Sequence, residues 1–368
     1  MNILEHFRKT IAELGKEQAV LKLSKQYTRE EVLFTMDQVN GREVALEKFP
    51  SLPEIIYPPA YYLEQTSSER TARFKASLVS GETLVDMTGG FGIDAYFFAQ
   101  KIKKVWYLEQ DPVIYNITAR NFPQLIAVNA NSIGWLNQKV DWIYLDPIRR
   151  TKDKRLSHVE DYSPNIIQHK DLFFKYADHV MIKLSPMTDI HQLTKLFPEC
   201  KVYVLAVDNE CKELLLVSNG NAEIESVHWI KDKEERFVSN VNDQRNIPLS
   251  DPLQYLYEPN AAIFKAHQYD VQAEKYSLFK LHPNTHLYTS DQYHPTYEGR
   301  VYQIKETLPF DPKSFHKGDA FNIKTRNFPV SPSEVAKKLR IKEGGDEFLF
   351  CVRTKDEKLR VLRCSKVI

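Results

Sequence analysis

Cysteine is scarce in this chain of 368 residues, and Cys200, Cys211, Cys351 and Cys364 form no C-x-x-C pair. Their scatter argues against a disulfide framework and against zinc sites, suits a reducing cytoplasm and leaves all four as expected core residues. Long apolar runs are lacking too: none approaches the roughly 20 residues needed to cross a membrane. Met1-Asn2-Ile3-Leu4-Glu5-His6 has no basic-then-apolar export pattern. A cytoplasmic protein with no membrane partner is expected. Neither sign of charge dominates, with 50 Lys and Arg against 49 Asp and Glu, so any case for nucleic-acid binding rests on local charge. The length suggests about two to four domains.

The informative stretch is Leu84-Val85-Asp86-Met87-Thr88-Gly89-Gly90-Phe91-Gly92-Ile93-Asp94, followed by Val105-Trp106-Tyr107-Leu108-Glu109. An apolar strand runs into an acid and a glycine loop that opens a helix, and a second strand ends in Glu109. This is the layout of a nucleotide-binding βαβ unit. The glycines admit a ligand close to the backbone, the helix start near Phe91 offers unpaired N–H groups, and Glu109 is placed to accept both ribose hydroxyls. Read as G-x-G-x-x-G from Gly90, the third glycine falls on Ala95, which a dinucleotide site tolerates. Asp86 argues against one, because a carboxylate aimed at the loop repels a pyrophosphate and suits the amino-acid end of S-adenosylmethionine.

The spacing Asp86, Thr88, Gly90, Gly92 resembles motif I of class I S-adenosylmethionine-dependent methyltransferases, with Thr88 replacing the first glycine. It is similar to the D-x-T-x-G-x-G-x-D loop of bacterial 16S ribosomal RNA guanine-N2 methyltransferases, Asp94 filling the last place. The resemblance implies that Asp86, Thr88, Gly89, Gly90, Phe91, Gly92, Asp94 and Glu109 bind this cofactor. It also implies that Gln65, Ser67 and Ser68 fold over the cofactor carboxylate, and that Asn131 and Ser132, after the third strand, meet the adenine. Read without it, Ser68 with Thr71 and Ala72 is a plain helix cap, and Asn-Ala-Asn-Ser an ordinary turn.

A second signature is Asp141-Trp142-Ile143-Tyr144-Leu145-Asp146-Pro147-Ile148-Arg149-Arg150, a buried strand ended by Asp-Pro. In an open α/β sheet this end lies with Asp86 and Glu109. It is similar to the D/N-P-P-Y motif of methyltransferases acting on exocyclic amines, which implies that Asp146 and the Pro147 carbonyl orient the amine. Ile148 and Arg149 replace the usual proline and aromatic, so another group must stack on the base. The basic run from Arg149 to Arg155 follows at once. Arg149, Arg150, Lys152 and Lys154 read either as a solvated face or as phosphate contacts at the acceptor rim, where Lys183 is a further candidate.

Four parts are expected: residues 1–75, an N-terminal helical segment with a Thr28/Glu31 capping box; 76–232, the catalytic domain; 233–297, a linker and small ferredoxin-like piece; and 298–368, a small α+β domain. In the catalytic domain, strands are expected at Thr83–Met87, Lys104–Glu109, Leu125–Val128, Asp141–Asp146, Val180–Leu184, Val202–Val207 and Glu213–Val217. Helices are expected near Ile93–Lys101, Pro112–Asn121, Pro164–Tyr176 and Asp189–Phe197. This predicts an α/β, Rossmann-like seven-stranded sheet whose last strand is antiparallel, because the final connection is too short for a crossover. Glu223 to Asn246 reads as charged and without periodicity.

The tail predicts a strand (Arg300–Glu306), helix (Pro312–Lys317), strand (Ala320–Thr325), a helix from Pro332 ended by Gly344-Gly345, and a hairpin (Phe348–Arg353, Leu359–Cys364). Pro283-Asn284-Thr285-His286, Thr325-Arg326-Asn327-Phe328-Pro329 and Lys342-Glu343-Gly344-Gly345-Asp346 resemble the THUMP-like domain of a group of bacterial class I methyltransferases. True THUMP domains present structured RNA, so the likeness implies an RNA partner by analogy. His282, His286 and His294 lack a completing Cys or carboxylate pair, and no metal is expected. The reading is a methyltransferase acting on a base amine of ribosomal or transfer RNA. A protein or small-molecule methyltransferase, or a non-catalytic RNA-binding protein of this fold, is the alternative. Oligomeric state is not legible.

Overall fold

The computed structural model describes residues 3–52, 54–149, 159–218, 222–241 and 243–367. They divide into two compact units, residues 1–184 with 216–218, and residues 185–215 with 219–368.

The first unit opens with helices Ile3–Leu14, Lys16–Leu23 and Arg29–Lys48, whose Phe7, Ala19, Leu23 and Val32 form a small core. The expected capping box is present: Thr28 accepts the Glu31 N–H, and the Glu31 carboxylate accepts the Thr28 N–H. The strands that follow are β1 (Thr83–Asp86), β2 (Lys104–Glu109), β3 (Ile126–Asn129), β4 (Val140–Leu145), the short antiparallel pair β5 (Ile148–Arg149) and β6 (Tyr162–Ser163), and β7 (Ala177–Leu184). In the order β7-β4-β1-β2-β3 all neighbours are parallel. Leu84, Val85, Tyr107, Ile143 and Leu145 are buried, as expected of strands covered on both faces. Helix Pro112–Asn121 starts as its sequence predicts, with Asp111 accepting the N–H groups of Val113 and Ile114 ahead of Pro112. The helix expected from Pro164 begins only at Lys170. The Asn165 side chain accepts the N–H groups of Ile167 and Gln168, an Asx-type turn that draws this backbone away from the helix.

In the second unit β8 (Lys201–Val207) and β9 (Glu210–Val217) are joined by Asp208-Asn209, both at positive φ, a two-residue reversal that makes β9 antiparallel as expected. The strand count differs from expectation. A hairpin of β10 (Glu223–Ile230) and β11 (Lys233–Asn240) brings the sheet to nine strands, in the order β11-β10-β8-β9-β7-β4-β1-β2-β3. Its inward acids are neutralised locally: Glu225 pairs with Lys201 and Arg236, and Glu235 with His228 and Lys233. That pairing lets a charged sequence form buried strands.

The remaining strands are β12 (Tyr255–Pro259), β13 (Phe279–Lys280), β14 (Tyr288–Ser290), β15 (Gly299–Pro309), β16 (Ala320–Arg326), β17 (Lys342–Arg353) and β18 (Leu359–Lys366), ordered β13-β14-β12-β15-β18-β17-β16. Helix Pro332–Leu339 carries the expected Ser331/Glu334 capping box but ends on Arg340 in the left-handed conformation. Gly344 and Gly345 do not end it; they lie in β17 where its register with β16 shifts, and a Cβ on Gly345 would sit 2.6 Å from the Ala320 carbonyl. The helix expected at Pro312–Lys317 is one 3-10 turn, Pro312–Ser314. Cys200, Cys351 and Cys364 are buried and Cys211 partly so. Among the described residues no helix is long and apolar enough to cross a membrane.

Candidate active site

Strand order reverses between β1 and β4, and the crevice beyond their carboxyl ends is where such a sheet takes its ligands. A pocket of about 310 Å³ lies there. Asp86 ends β1, and the loop after it is tightly specified. Gly89 donates to the Leu108 carbonyl, and a Cβ on it would meet the Tyr107 ring at 2.1 Å. Gly92 adopts φ 75° at the start of helix Ile93–Phe98. Glu109, at the end of β2, accepts the Gly90 N–H at 2.9 Å and the Asp111 N–H at 2.8 Å. The carboxylate thus ties the glycine loop to the next strand, on the rim of the pocket.

Most of the expected cofactor residues converge. Gln65, Ser67, Asp86, Thr88, Gly89, Gly90, Phe91, Gly92, Asp94, Glu109, Asn131 and Ser132 all line the pocket. Ser68 does not: its hydroxyl accepts the Thr71 N–H and caps helix Glu69–Leu78, the plain reading of that residue. Asp146 lines the same pocket with Ile148 and Ser163 and adjoins the glycine loop, its backbone N–H donating to the Thr88 hydroxyl. Pro147 is buried and is not itself among the lining residues, so of the expected pair it is Asp146 that reaches the pocket. Of the expected phosphate contacts, the Arg149 side chain and all of Arg150, Lys152 and Lys154 lie outside the described residues. Lys183 is not a solvent-facing cation. Its side chain is 13% exposed and its Nζ lies 2.6 Å from Asp146 Oδ2, so its charge is spent on the carboxylate.

Several participants are not evident from the sequence. Lys75 is fully buried, donates to Ser67 Oγ at 2.7 Å and pairs with Asp94 Oδ1 at 3.0 Å. Ser67 and Tyr144 both donate to Asp94 Oδ2. Burial pushes the Asp94 carboxyl up, but Lys75, Lys183 and these hydrogen bonds outweigh it and hold the group below the usual range. Asp86 has no such cation. Burial pushes its carboxyl well above the ordinary value, opposed by the Thr88 N–H and reinforced by Asp94, Asp146 and Glu109. Tyr61 and Tyr62 flank the opening, and the Tyr62 hydroxyl, donating to Asp111, is pushed up to about 12 by burial and that bond. Spacing contains a signal for Lys75: Ala72, Ala76 and Val79 mark an apolar helix face that it shares.

The described lining contains Asp86, Asp94, Glu109, Asp111 and Asp146 but no Lys or Arg. Lys75 and Lys183, behind the lining, offset Asp94 and Asp146, and the remaining acids leave it net acidic, which disfavours a pyrophosphate and favours a ligand bearing cationic groups.

Known proteins share parts of this chain and its fold. A ferredoxin-like domain family matches residues 255–297 and a THUMP domain-like family matches residues 299–366. Two uncharacterized S-adenosylmethionine-dependent methyltransferases of Mycobacterium tuberculosis, from strains CDC 1551 / Oshkosh and ATCC 25618 / H37Rv, are each 21% identical over 293 residues, covering 76% of this chain and 80% of theirs. A crystal structure from Porphyromonas gingivalis W83, provisionally assigned as a methyltransferase, superposes with a TM-score of 0.85 at 26% identity over 100% of this chain and 98% of that one. With the fold shared end to end and the pocket where that fold carries out its chemistry, the chain is a methyltransferase.

Proposed function

We propose that this enzyme methylates an exocyclic amine of a base in structured RNA, with ribosomal and transfer RNA as the substrate classes. Its methyl donor is S-adenosylmethionine, which supplies an electrophilic methyl group on a sulfonium. The cation-favouring pocket fits it: Asp86 would hold the amino group, Glu109 the ribose hydroxyls, Asn131 and Ser132 the adenine edge, with Gln65 and Ser67 closing over the amino-acid end. Thr88 and the glycine loop, similar to that of 16S ribosomal RNA guanine-N2 methyltransferases, bring the backbone against it.

The observation that carries the acceptor assignment is Asp146, a carboxylate 36% exposed in the pocket lining, hydrogen-bonded through its N–H to Thr88 of the glycine loop and followed at once by Pro147. One oxygen of Asp146 accepts an amine hydrogen and turns the nitrogen lone pair toward the methyl group; the Pro147 carbonyl, the second acceptor that the motif implies, would have to be reached from the Asp146 side, because Pro147 is not in the lining. Direct in-line transfer then asks the protein mainly for position, and near-attack geometry contributes on the order of 7–11 kcal/mol. The nucleic-acid assignment is supported by the THUMP domain-like tail and by the basic run after Asp146. In this reading residues 76–232 catalyse and 298–368 dock the RNA.

The test is transfer of labelled methyl from the cofactor to RNA of a strain lacking the gene, followed by nucleoside analysis. Label should appear on a base amine and vanish with Asp146→Ala while cofactor affinity holds. Label on protein or on a ribose oxygen, or full activity in Asp146→Ala, overturns the reading.

A further inference from the structure

Glu258 ends β12 with its carboxylate almost fully buried, and three cations surround it. Lys324 Nζ lies 2.6 Å from Oε2, an Arg326 guanidinium nitrogen 2.9 Å from Oε1, and Arg300 3.7 Å from Oε2. The Tyr302 hydroxyl also reaches Oε2, at 3.2 Å. Among the described residues Glu258 is the one carboxylate these three cations pair with, so the cluster carries an uncompensated charge of two. Lys324 lies over the rings of Tyr302, Phe348 and Phe350 at 5.2–5.6 Å.

A single ion pair would satisfy a buried carboxylate. Two further cations add mutual repulsion inside a partly desolvated cluster, a cost that structure alone does not require. Its trace is visible at Lys324, which burial pushes below the ordinary lysine value, with Arg300 and Arg326 adding to the effect and Glu258 opposing it. The two arginines face outward, with 30% and 41% of their side chains exposed, and Arg300 stands beyond hydrogen-bonding distance of Glu258. Its donors are left for a ligand, and planar guanidinium forks match phosphate oxygens in pairs.

We propose that Arg300, Lys324 and Arg326, organised by Glu258, form a phosphate-binding site through which the C-terminal unit grips the backbone of its RNA. The proposal rests on the RNA reading above and adds the place of contact. Glu258 gathers the three cations at one point while its charge offsets one of theirs, and Gln, which keeps an oxygen acceptor in the same place, would leave them gathered with the full positive charge.

The experiment titrates the full-length protein against a fluorescently labelled RNA stem-loop across a salt series. Arg300→Gln and Arg326→Gln replace outward-facing groups. Each should weaken binding and lower the slope of log affinity against log salt by roughly 0.7–0.9, the share of one phosphate that is no longer neutralised. Cofactor affinity, measured in parallel, should stay unchanged. Glu258→Gln removes the compensating charge and should tighten binding, whereas a purely structural strut predicts no gain. Should Glu258→Gln fail to fold, the two arginine variants decide. Wild-type binding with unaltered slopes in both arginine variants overturns this site and leaves the RNA reading standing. A wild-type protein that does not bind the stem-loop overturns both.

Discussion

Lys183 and Asp146 stand at the carboxyl ends of the paired strands β7 and β4, with Nζ 2.6 Å from Oδ2. The ammonium holds one carboxylate oxygen and thereby sets the direction of the other, the one available to an acceptor amine. The residue expected to touch phosphate becomes the residue that aims the proposed catalytic group.

Lys183→Met should therefore lower the single-turnover rate of methyl transfer by on the order of 100-fold, the scale of a misplaced reacting group, with cofactor affinity unchanged. Lys183→Arg, which can still pair with Asp146, should recover part of the rate. Equal rates for Lys183→Met and wild type would show that Asp146 needs no support.

The buried Lys75–Asp94 pair makes a prediction about stability. Removing one partner strands the other charge, so Lys75→Met should cost about 3–5 kcal/mol in urea unfolding. The double variant Lys75→Met/Asp94→Asn should recover much of that loss. A double variant no more stable than Lys75→Met would mean that the pair is not coupled.

Asp86 behaves in the opposite sense. Its folded-state carboxyl titrates well above its unfolded value, so the folded protein binds the proton more tightly. Ionising it at neutral pH costs stability, and that cost disappears as pH falls through the raised value toward the ordinary 3.8. Asp86→Asn should stabilise the cofactor-free protein at pH near 8, stabilise it less near 5, and weaken binding of the cofactor. Urea midpoints at the two pH values and calorimetry check both halves; a stability gain that grows on acidification contradicts the assignment.

If Glu109 holds the ribose as proposed, Glu109→Ala should weaken binding of S-adenosylhomocysteine, because it would remove two charge-assisted hydrogen bonds, each contributing about 1.5–3 kcal/mol. The same substitution frees the Gly90 and Asp111 N–H groups, so the loop should also exchange its amide hydrogens faster. Unchanged affinity by calorimetry would place the ribose elsewhere.

The parts of this molecule legible in its sequence are those specified by near neighbours along the chain. The glycine loop, Glu109, the Asp111-Pro112 helix start and the two capping boxes rest on contacts within a few residues or within one βαβ unit, and their spacing carries them. Lys75 and Asp94 meet across 19 residues: the apolar face that Lys75 shares marks it as buried, but nothing local names a carboxylate as its partner. The β10–β11 hairpin is hidden for a related reason. Its inward Glu225 and Glu235 violate the apolar alternation of a buried strand, and except for Lys233, two residues from Glu235, their partners Lys201, Arg236 and His228 lie on other strands. Gly344 and Gly345 read as helix punctuation because a bulge and a helix terminus use glycine for the same conformational freedom.

The pairing of Ile148 with Ser163 and of Arg149 with Tyr162 has a consequence for how such an enzyme can change. The chain leaves the pocket lining on one strand and returns to it on the other, so the two ends of the intervening stretch are held together by this pairing. Lengthening a closed stretch is inexpensive, about 0.6 kcal/mol for each doubling. Under the proposed function, a change of length or charge between these strands could alter what the pocket accepts while Asp86, Glu109 and Asp146 stay outside the clamp.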